Sequence, residues 1–160
     1  MPLLYVSELI DIAIKDEEAG VEFYRALAAS VRDGRVRERM LAIAAQEVAQ
    51  VEWFKKMRAE IGEAQVAEQY PGEDDEYLRA ITAPAFPATA DAGAFARRAA
   101  TDAEAVDLAM RLEKDTLLLL TEMKRFLGEE HHKYVDVVID EEKEHLVELA
   151  DMRRMLGAKG

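Results

Sequence analysis

Apolar residues recur every three or four positions along most of the chain, which is the spacing of one face of an α-helix. Four segments show this pattern, at about residues 7–32, 35–61, 102–127 and 129–156. No segment shows the sustained alternation of apolar and polar residues that is typical of a half-buried β-strand. The pattern therefore predicts an all-α protein with a single domain over residues 1–160, and Ser7 as the N-cap of the first helix.

A segment of 38 residues, 63–100, separates the second predicted helix from the third and contains three of the four prolines. The sequence indicates one short helix within it, near residues 74–80. A connector this long is unusual in a compact domain, but a four-helix bundle needs one when its second and third helices run in the same direction. We therefore expect two antiparallel helical hairpins joined by a long crossover.

The net charge and the absence of cysteine exclude several classes of binding partner and cofactor. The chain carries 33 acidic and 21 basic side chains, and its formal net charge is −12. Such a surface repels phosphate backbones and anionic lipids, so we expect no nucleic-acid and no membrane partner. The absence of cysteine excludes disulfides, thiolate zinc sites and cysteine-held iron–sulfur clusters. Because there is no long apolar segment and no leader-like start, we expect a cytoplasmic protein.

Four acidic residues, one in each predicted helix, lie on apolar helix faces instead of solvated ones. Residues three and four positions apart share a helix face, and these neighbours are mostly apolar for Glu17, Glu47, Glu113 and Glu142. His145 lies one turn after Glu142, on the same apolar face of the fourth helix. Asp16 also has mostly apolar neighbours, but it adjoins the first glutamate and has no counterpart in the other helices, so we treat it as a false positive.

The four glutamates are predicted to lie at one height in the bundle. The midpoint of Glu17 and Glu47 is residue 32, beside the first predicted turn, and the midpoint of Glu113 and Glu142 falls at 127.5, beside the second. The first members of the two pairs are 96 residues apart and the second members are 95 apart. The two hairpins therefore repeat each other, and their carboxylates are expected to form a single internal layer.

Four buried carboxylates need neutralising positive charge, because even a paired buried ion costs several kcal/mol. No Lys or Arg lies on these stripes near the layer, and two divalent cations would balance the four charges. Carboxylate with imidazole suits iron or manganese. The alternative for any single glutamate is a raised pKa or a lysine reaching in from the rim, and for the histidine a hydrogen-bonded core position. All five together favour metal binding.

These residues resemble the ligand set of ferritin-like di-iron or di-manganese carboxylate proteins, in which two helices supply one Glu each and two supply Glu-x-x-His. Three segments are similar to the rubrerythrin-like branch of that superfamily: EEAGVEFYRALA (17–28), LEKDTLLLL (112–120) and EEKEHLVEL (141–149). The resemblance implies a ferritin-like four-helix bundle. It implies Tyr24 pointing into the bundle, and as metal ligands Glu17, Glu47, Glu113, Glu142 and His145.

The resemblance also implies a chemistry. Two divalent ions, iron first and manganese or zinc as alternatives, would reduce peroxide or react with dioxygen. Ferrous ions would supply the two electrons that cleave the O–O bond, and the protein would supply fixed coordination with open positions.

The chain departs from the family pattern in three places. Gln50 stands where the family has a second Glu-x-x-His histidine, and Thr116 stands where rubrerythrins proper have a further carboxylate. An amide is a poorer ligand than imidazole, so we expect Gln50 to be a weak ligand or a neighbour of the ligands, with one metal position weakened. Because cysteine is absent, there is no rubredoxin-type iron domain, and redox turnover would need a separate electron donor.

Two functions from different classes fit this sequence. One is an oxidoreductase that acts on peroxide or dioxygen, and the other is a non-catalytic metal-binding or structural ferritin-like protein whose site is degenerate because of Gln50. A helical interaction module with protonated core glutamates ranks last. A homodimer that buries further apolar surface is compatible with each of them.

Overall fold

The computed structural model describes residues 6–62, 73–83 and 92–157. This part of the chain contains no strand, which confirms the all-α prediction. Among the described helices, none combines the length and hydropathy that crossing a membrane requires. A 3₁₀ turn at Glu129–His131 precedes the last of six helices: α1 Val6–Ser30, α2 Gly34–Ile61, α3 Glu73–Ile81, α4 Ala92–Ala96, α5 Asp102–Lys124 and α6 His132–Gly157.

Capping side chains fix the starts of two long helices. The Asp33 carboxylate accepts a hydrogen bond from the Arg35 backbone N–H at 2.9 Å and begins α2. The Thr101 hydroxyl accepts one from the Glu104 N–H at 3.1 Å and begins α5, near the predicted start. The prediction for Ser7 was wrong, because α1 already includes Val6 and Ser7 lies buried within it.

The second hairpin differs from its predicted bounds. Its first helix was expected to reach residue 127, but α5 ends at Lys124. The backbone then tightens into bonds between residues three apart, with the N–H groups of residues 125, 126 and 127 donating to the carbonyls of residues 122, 123 and 124. Phe126 and Leu127 stay buried through this turn, so the change of helix type does not open the core.

The predicted crossover contains more structure than expected. The short helix indicated near residues 74–80 is present as α3. No sequence pattern predicted α4, whose Ala92 and Ala96 are fully buried in the same apolar cluster as α1 side chains. The remainder of the crossover, residues 63–72 and 84–91, lies outside the described residues.

The four long helices pair as two hairpins, α1 with α2 and α5 with α6, and the pairs meet along α1–α5 and α2–α6. The carboxylate of Asp102 accepts hydrogen bonds from the backbone N–H groups of Arg32 and Asp33, at 2.8 and 2.7 Å. This contact brings the turn between α1 and α2 next to the start of α5. Since α2 and α5 both begin at this end, they run in the same direction, as the long crossover requires.

The buried core consists of two apolar clusters stacked along the bundle. One contains Tyr24, Met40 and Leu149, and the other contains Ile10, Phe54 and Leu120. On every long helix, the change from one cluster to the other occurs at the glutamate that the sequence singled out. The fold therefore places one polar layer between two apolar halves of the core.

Candidate metal centre

The layer between the two apolar clusters holds almost all the buried polar side chains of the described chain. Eight polar or charged residues are buried in this part of the protein, and Ser7 is the one that lies elsewhere. All four glutamates are 3% exposed or less. The layer includes each of the five predicted ligands together with two more residues: Glu17, Glu47, Gln50, Glu113, Thr116, Glu142 and His145.

Four of the predicted ligands converge on one point. The Nδ1 atom of His145 lies 3.6 Å from Glu47 Oε1, 3.7 Å from Glu113 Oε1 and 3.6 Å from Glu142 Oε1. One ligand atom from each of these four residues lies within 4.8 Å of all the others. Each residue comes from a helix whose apolar face is anchored above and below the layer, so the convergence is built into the packing of the bundle.

Glu17 lies beside this group of four. Its pKa is raised well above the ordinary value by burial, and next by the negative charge of Glu142. The pKa of Glu47 is likewise raised by burial and then by the charge of Glu17. Both effects require the Glu17 carboxylate to lie close to Glu47 and Glu142.

The other three ionisable predicted ligands have shifted pKa values, two of them raised and one lowered. Burial, with a contribution from Glu142, raises the pKa of Glu113 to about 8. Burial would also raise the pKa of Glu142, but its contacts with Glu113, His145 and Gln50 lower it below the ordinary value. Burial lowers the pKa of His145, while the carboxylates of Glu113 and Glu142 outweigh it and raise this pKa to about 10. Without a cation, the layer holds protons that a bound metal would displace.

The residues present fit a metal centre. Within the described part of the chain, five fully buried atoms of the layer have no hydrogen-bond partner: Glu17 Oε1, Glu47 Oε1, Gln50 Oε1, Glu142 Oε2 and His145 Nδ1. Buried polar atoms without partners are rare because each costs about 1–3 kcal/mol. All five are oxygen or imidazole nitrogen donors, the types that iron, manganese and zinc accept.

Comparison with known proteins agrees with this geometry. The family model described as Rubrerythrin matches residues 8–153. The chain belongs to the rubrerythrin family. It is also similar to a crystal structure from Thermotoga maritima, named as a candidate ferritin-like diiron-carboxylate protein, with 30% sequence identity and a TM-score of 0.72. That match covers 96% of this chain and 97% of the other. No protein in the curated set matches.

The family and the similar structure confirm the predicted ferritin-like fold and the predicted resemblance. Together with the buried cluster of three carboxylates and one imidazole, they support a di-metal carboxylate protein. The roles of individual residues toward the metals stay predictions.

In this rubrerythrin-family chain, Tyr24 points into the bundle, as the resemblance implies. Its side chain is fully buried, and its hydroxyl donates a hydrogen bond to Glu113 Oε1. Burial and the nearby charge of Glu113 raise the pKa of Tyr24 well above its ordinary value. The hydroxyl therefore keeps its proton and restricts how the Glu113 carboxylate can turn.

Gln50, which replaces the expected histidine, is directed at the ligands through its amide nitrogen. Nε2 donates to Glu142 Oε1 at 2.6 Å and to Glu141 Oε2 at 3.0 Å. The same donation contributes to the lowered pKa of Glu142. Through this contact Gln50 holds the Glu142 carboxylate in place, and its role toward a metal stays a prediction.

Two further residues lie beside the ligands, and no sequence pattern identified them. Gln46 Oε1 lies 3.0 Å from His145 Nε2, on the side of the ring away from the carboxylates. A Cβ atom added to Gly20 would lie 3.3 Å from Glu47 Cδ and closer still to its Oε2, so the glycine makes room for that carboxylate. Residues three and four positions apart report on one helix, whereas these contacts join different helices.

Asp16, which we treated as a false positive, lies next to the layer through its contact with Thr116. Asp16 is half-buried, and its Oδ2 accepts a hydrogen bond from the buried Thr116 hydroxyl at 3.1 Å. Burial raises the pKa of Asp16 to about 6, with the Thr116 hydrogen bond opposing and the charge of Glu142 adding to the shift. Asp16 and Thr116 thus form a polar link between α1 and α5 next to the metal layer.

Proposed function

We propose that this protein binds two divalent metal ions, iron by preference, in the buried layer and reduces peroxide or reacts with dioxygen. The observation that carries the proposal is the convergence of His145 Nδ1 with three carboxylates. Among the described residues, no Lys or Arg is buried with them. Membership of the rubrerythrin family supports the same chemistry.

The two metal positions would differ in strength. Glu113 and His145, with Glu47 and Glu142, surround one point and would hold the first ion. The negative charge of Glu142 raises the pKa of Glu17, and the charge of Glu17 raises that of Glu47. These three carboxylates therefore lie near one another and would hold the second ion. The second position lacks an imidazole, and Gln50 offers it at most an amide oxygen, so it should bind more weakly.

The protein's own groups would prepare the site for a two-electron reduction. When bound, two ferrous ions supply the two electrons that convert one hydrogen peroxide and two protons into two water molecules. Tyr24 holds the Glu113 carboxylate through its hydroxyl, and Gln50 holds the Glu142 carboxylate through its amide. A separate electron-donor protein would return the metal pair to the ferrous state, since the chain has no cysteine to hold a redox cluster of its own.

Optical spectroscopy of the ferrous protein tests this proposal. Metal-free protein is loaded anaerobically with two equivalents of Fe(II), and hydrogen peroxide is then added in substoichiometric steps. The proposal expects a ferric absorption that rises quickly, with two irons oxidised for each peroxide consumed. Oxidation no faster than that of free Fe(II) in the same buffer would contradict it.

A non-catalytic metal-binding or structural role is the second candidate, and the position of Gln50 favours it. The Gln50 amide nitrogen is directed at Glu142 and Glu141, where the family pattern has a ligating imidazole. If the second position is too weak to fill, the protein would hold a single ion that peroxide does not oxidise by two electrons. The same experiment separates the candidates through iron stoichiometry and reactivity. A cytoplasmic location, the absence of a nucleic-acid partner and a homodimer stay predictions of the sequence.

A further inference from the structure

We propose that Gln46 is a positioning residue that holds the His145 ring with Nδ1 directed at the carboxylates. The inference rests on the proposed metal-binding function. It concerns a side chain outside the buried layer, one position before Glu47 on α2, to which neither the sequence pattern nor the family resemblance assigned a role.

The hydrogen bond defines which ring nitrogen carries a proton. Gln46 Oε1 lies 3.0 Å from His145 Nε2, and an amide oxygen only accepts hydrogen bonds, so Nε2 must be the donor. The other ring nitrogen, Nδ1, faces Glu47, Glu113 and Glu142 at 3.6 to 3.7 Å and has no hydrogen-bond partner in the described structure. Nδ1 is therefore the atom whose lone pair is directed into the site when it loses its proton.

This arrangement is the one that a ligating histidine needs. A metal-bound imidazole almost always donates its second N–H to a fixed acceptor, which sets the tautomer and the ring orientation. Rotating the His145 ring by half a turn would break the contact with Gln46 and move Nδ1 away from the three carboxylates. The amide on α2 thus fixes a ligand on α6, and the next residue of α2, Glu47, contributes a carboxylate to the same cluster.

Packing does not explain this contact. Gln46 is an exposed residue on α2, and it belongs to neither apolar cluster of the core. Replacing it should leave the fold intact, so its effect on metal binding can be measured in a folded protein. Glu38, also exposed and two turns earlier on α2, about 12 Å away along the helix axis, provides a matched position for a control.

Cobalt(II) binding, followed by visible absorption in competition with a chelating dye, tests the proposal on three variants. Gln46→Leu removes the acceptor and should weaken Co(II) binding at the His145 position by about 10–100-fold. Gln46→Glu retains an acceptor and should bind Co(II) as well as the wild-type protein does. Glu38→Leu makes a similar surface change away from the site and should also match the wild type.

A nuclear magnetic resonance measurement on the zinc-loaded protein adds a readout that a general structural effect would not reproduce. In the wild type, long-range proton–nitrogen spectra should show His145 bonded to zinc through Nδ1, with a slowly exchanging proton on Nε2. In Gln46→Leu that Nε2 proton should exchange quickly with water, and in Gln46→Glu it should again be protected.

The outcomes distinguish this inference from the proposed function. Equal Co(II) affinity in the wild type and Gln46→Leu, with the Nε2 proton still protected, would overturn the role of Gln46 while leaving metal binding intact. Loss of affinity in Gln46→Glu or Glu38→Leu as well would overturn it by showing a non-specific effect. A wild-type protein that binds no Co(II) would overturn the proposed metal site and this inference together.

Discussion

A carboxylate in an apolar core persists only when a proton, a hydrogen-bond donor or a cation balances its charge. All three kinds of balancing group occur in the layer. Glu113 has a pKa of about 8 because it is buried, and so holds a proton readily. Glu142 accepts from Gln50, and His145 supplies positive charge to its neighbours. At the scale of single residues, the layer is thus ready to exchange protons for metal ions.

Restoring the missing imidazole should strengthen one metal position. We expect Gln50→His to raise affinity at the weaker position by on the order of tenfold, because imidazole is a better ligand than an amide for iron and manganese. Anaerobic Fe(II) titration against a competing chelator measures this. Ala49→His adds the same side chain at an exposed neighbouring position of α2 and should change nothing. An unchanged affinity in Gln50→His would show that residue 50 does not face the second ion.

The space beside Glu47 is predicted to matter for metal binding more than for folding. Gly20→Ala should raise helix propensity by about 0.5–1 kcal/mol, while its new Cβ would collide with the Glu47 carboxylate. We expect the metal-free protein to change in stability by less than about 1 kcal/mol, and the rise in Tm caused by metal to shrink. Gly34→Ala, with no atom within 4 Å of its Cβ, is the control for thermal unfolding. An undiminished metal-induced rise would contradict the prediction.

The sequence reveals those site residues whose burial can be read from neighbours on the same helix. Glu17 and Glu113 could be identified because apolar residues three and four positions away mark a buried face. Gln46 and Gly20 could not, because their importance arises from side chains on other helices, His145 for one and Glu47 for the other. Contacts between helices depend on the rotation of each helix in the bundle, which periodicity does not determine.

At the scale of elements, the two hairpins are joined at one end by a side-chain contact. Asp102, at the start of α5, accepts backbone hydrogen bonds from Arg32 and Asp33 in the turn between α1 and α2. Both N–H groups belong to a helix–helix turn, which is a common site for a carboxylate. The contact fixes the direction of α5 relative to α2 and with it the register of the layer.

Removing this contact should destabilise the whole bundle. We expect Asp102→Ala to lower the free energy of unfolding by about 1–2 kcal/mol, because two backbone donors lose a charged acceptor at a partly exposed position. Urea denaturation of the metal-free protein measures the change. Asp107→Ala removes a half-exposed partner of Arg153 and should cost less than about 1 kcal/mol. Equal losses in the two variants would show that the turn contact has no special role.

Element boundaries followed from the sequence where local chemistry determines them. The predicted starts at about residues 35 and 102 agree with α2 and α5 to within one residue, and the capping side chains of Asp33 and Thr101 are local signals of this kind. Ser7 carried the same signal but lies inside α1. The five residues of α4, all alanine, glycine or phenylalanine, carry no helical periodicity, and burial of Ala92 and Ala96 against α1 stabilises the helix instead.

At the scale of the whole molecule, the charge of −12 divides into a solvated surface and an internal layer. Two divalent cations would cancel the four internal carboxylates, so the loaded protein would carry a formal charge of −8. The same division makes the stability of the metal-free protein depend on pH. Protons held by the folded layer, but not by the unfolded chain, stabilise the fold only while they remain bound.

Stability of the metal-free protein should fall as the pH rises from 6.5 to 9. The pKa of Glu113 is about 8 in the fold against an ordinary 4.5, and that of His145 is about 10 against 6.5. The folded state therefore binds more protons than the unfolded state in this range, and each such proton lowers the free energy of unfolding by about 1.4 kcal/mol per pH unit while the pH lies between its two pKa values. The lowered pKa of Glu142 acts in the opposite sense, but below its ordinary value of 4.5 and outside this range.

Urea midpoints at several pH values measure this dependence. Glu113→Gln removes one of the groups and should give a shallower dependence than the wild type. Protein saturated with metal should lose the dependence, because the ligands are then deprotonated throughout. A flat or rising stability of the metal-free wild type between pH 6.5 and 9 would contradict the proposed proton-holding layer.

Iron content tests the central claim most directly. Metal-free protein is incubated anaerobically with excess Fe(II), desalted, and analysed for iron per chain, with Glu142→Gln treated in parallel. Glu142 belongs to the converging cluster, and its negative charge has the largest effect of any neighbouring charge on the pKa of Glu17. Its loss should therefore weaken both metal positions. We predict about two irons per chain in the wild type and less than one in the variant. Trace iron in the wild type, or the same iron content in both proteins, would contradict a di-metal centre in this layer.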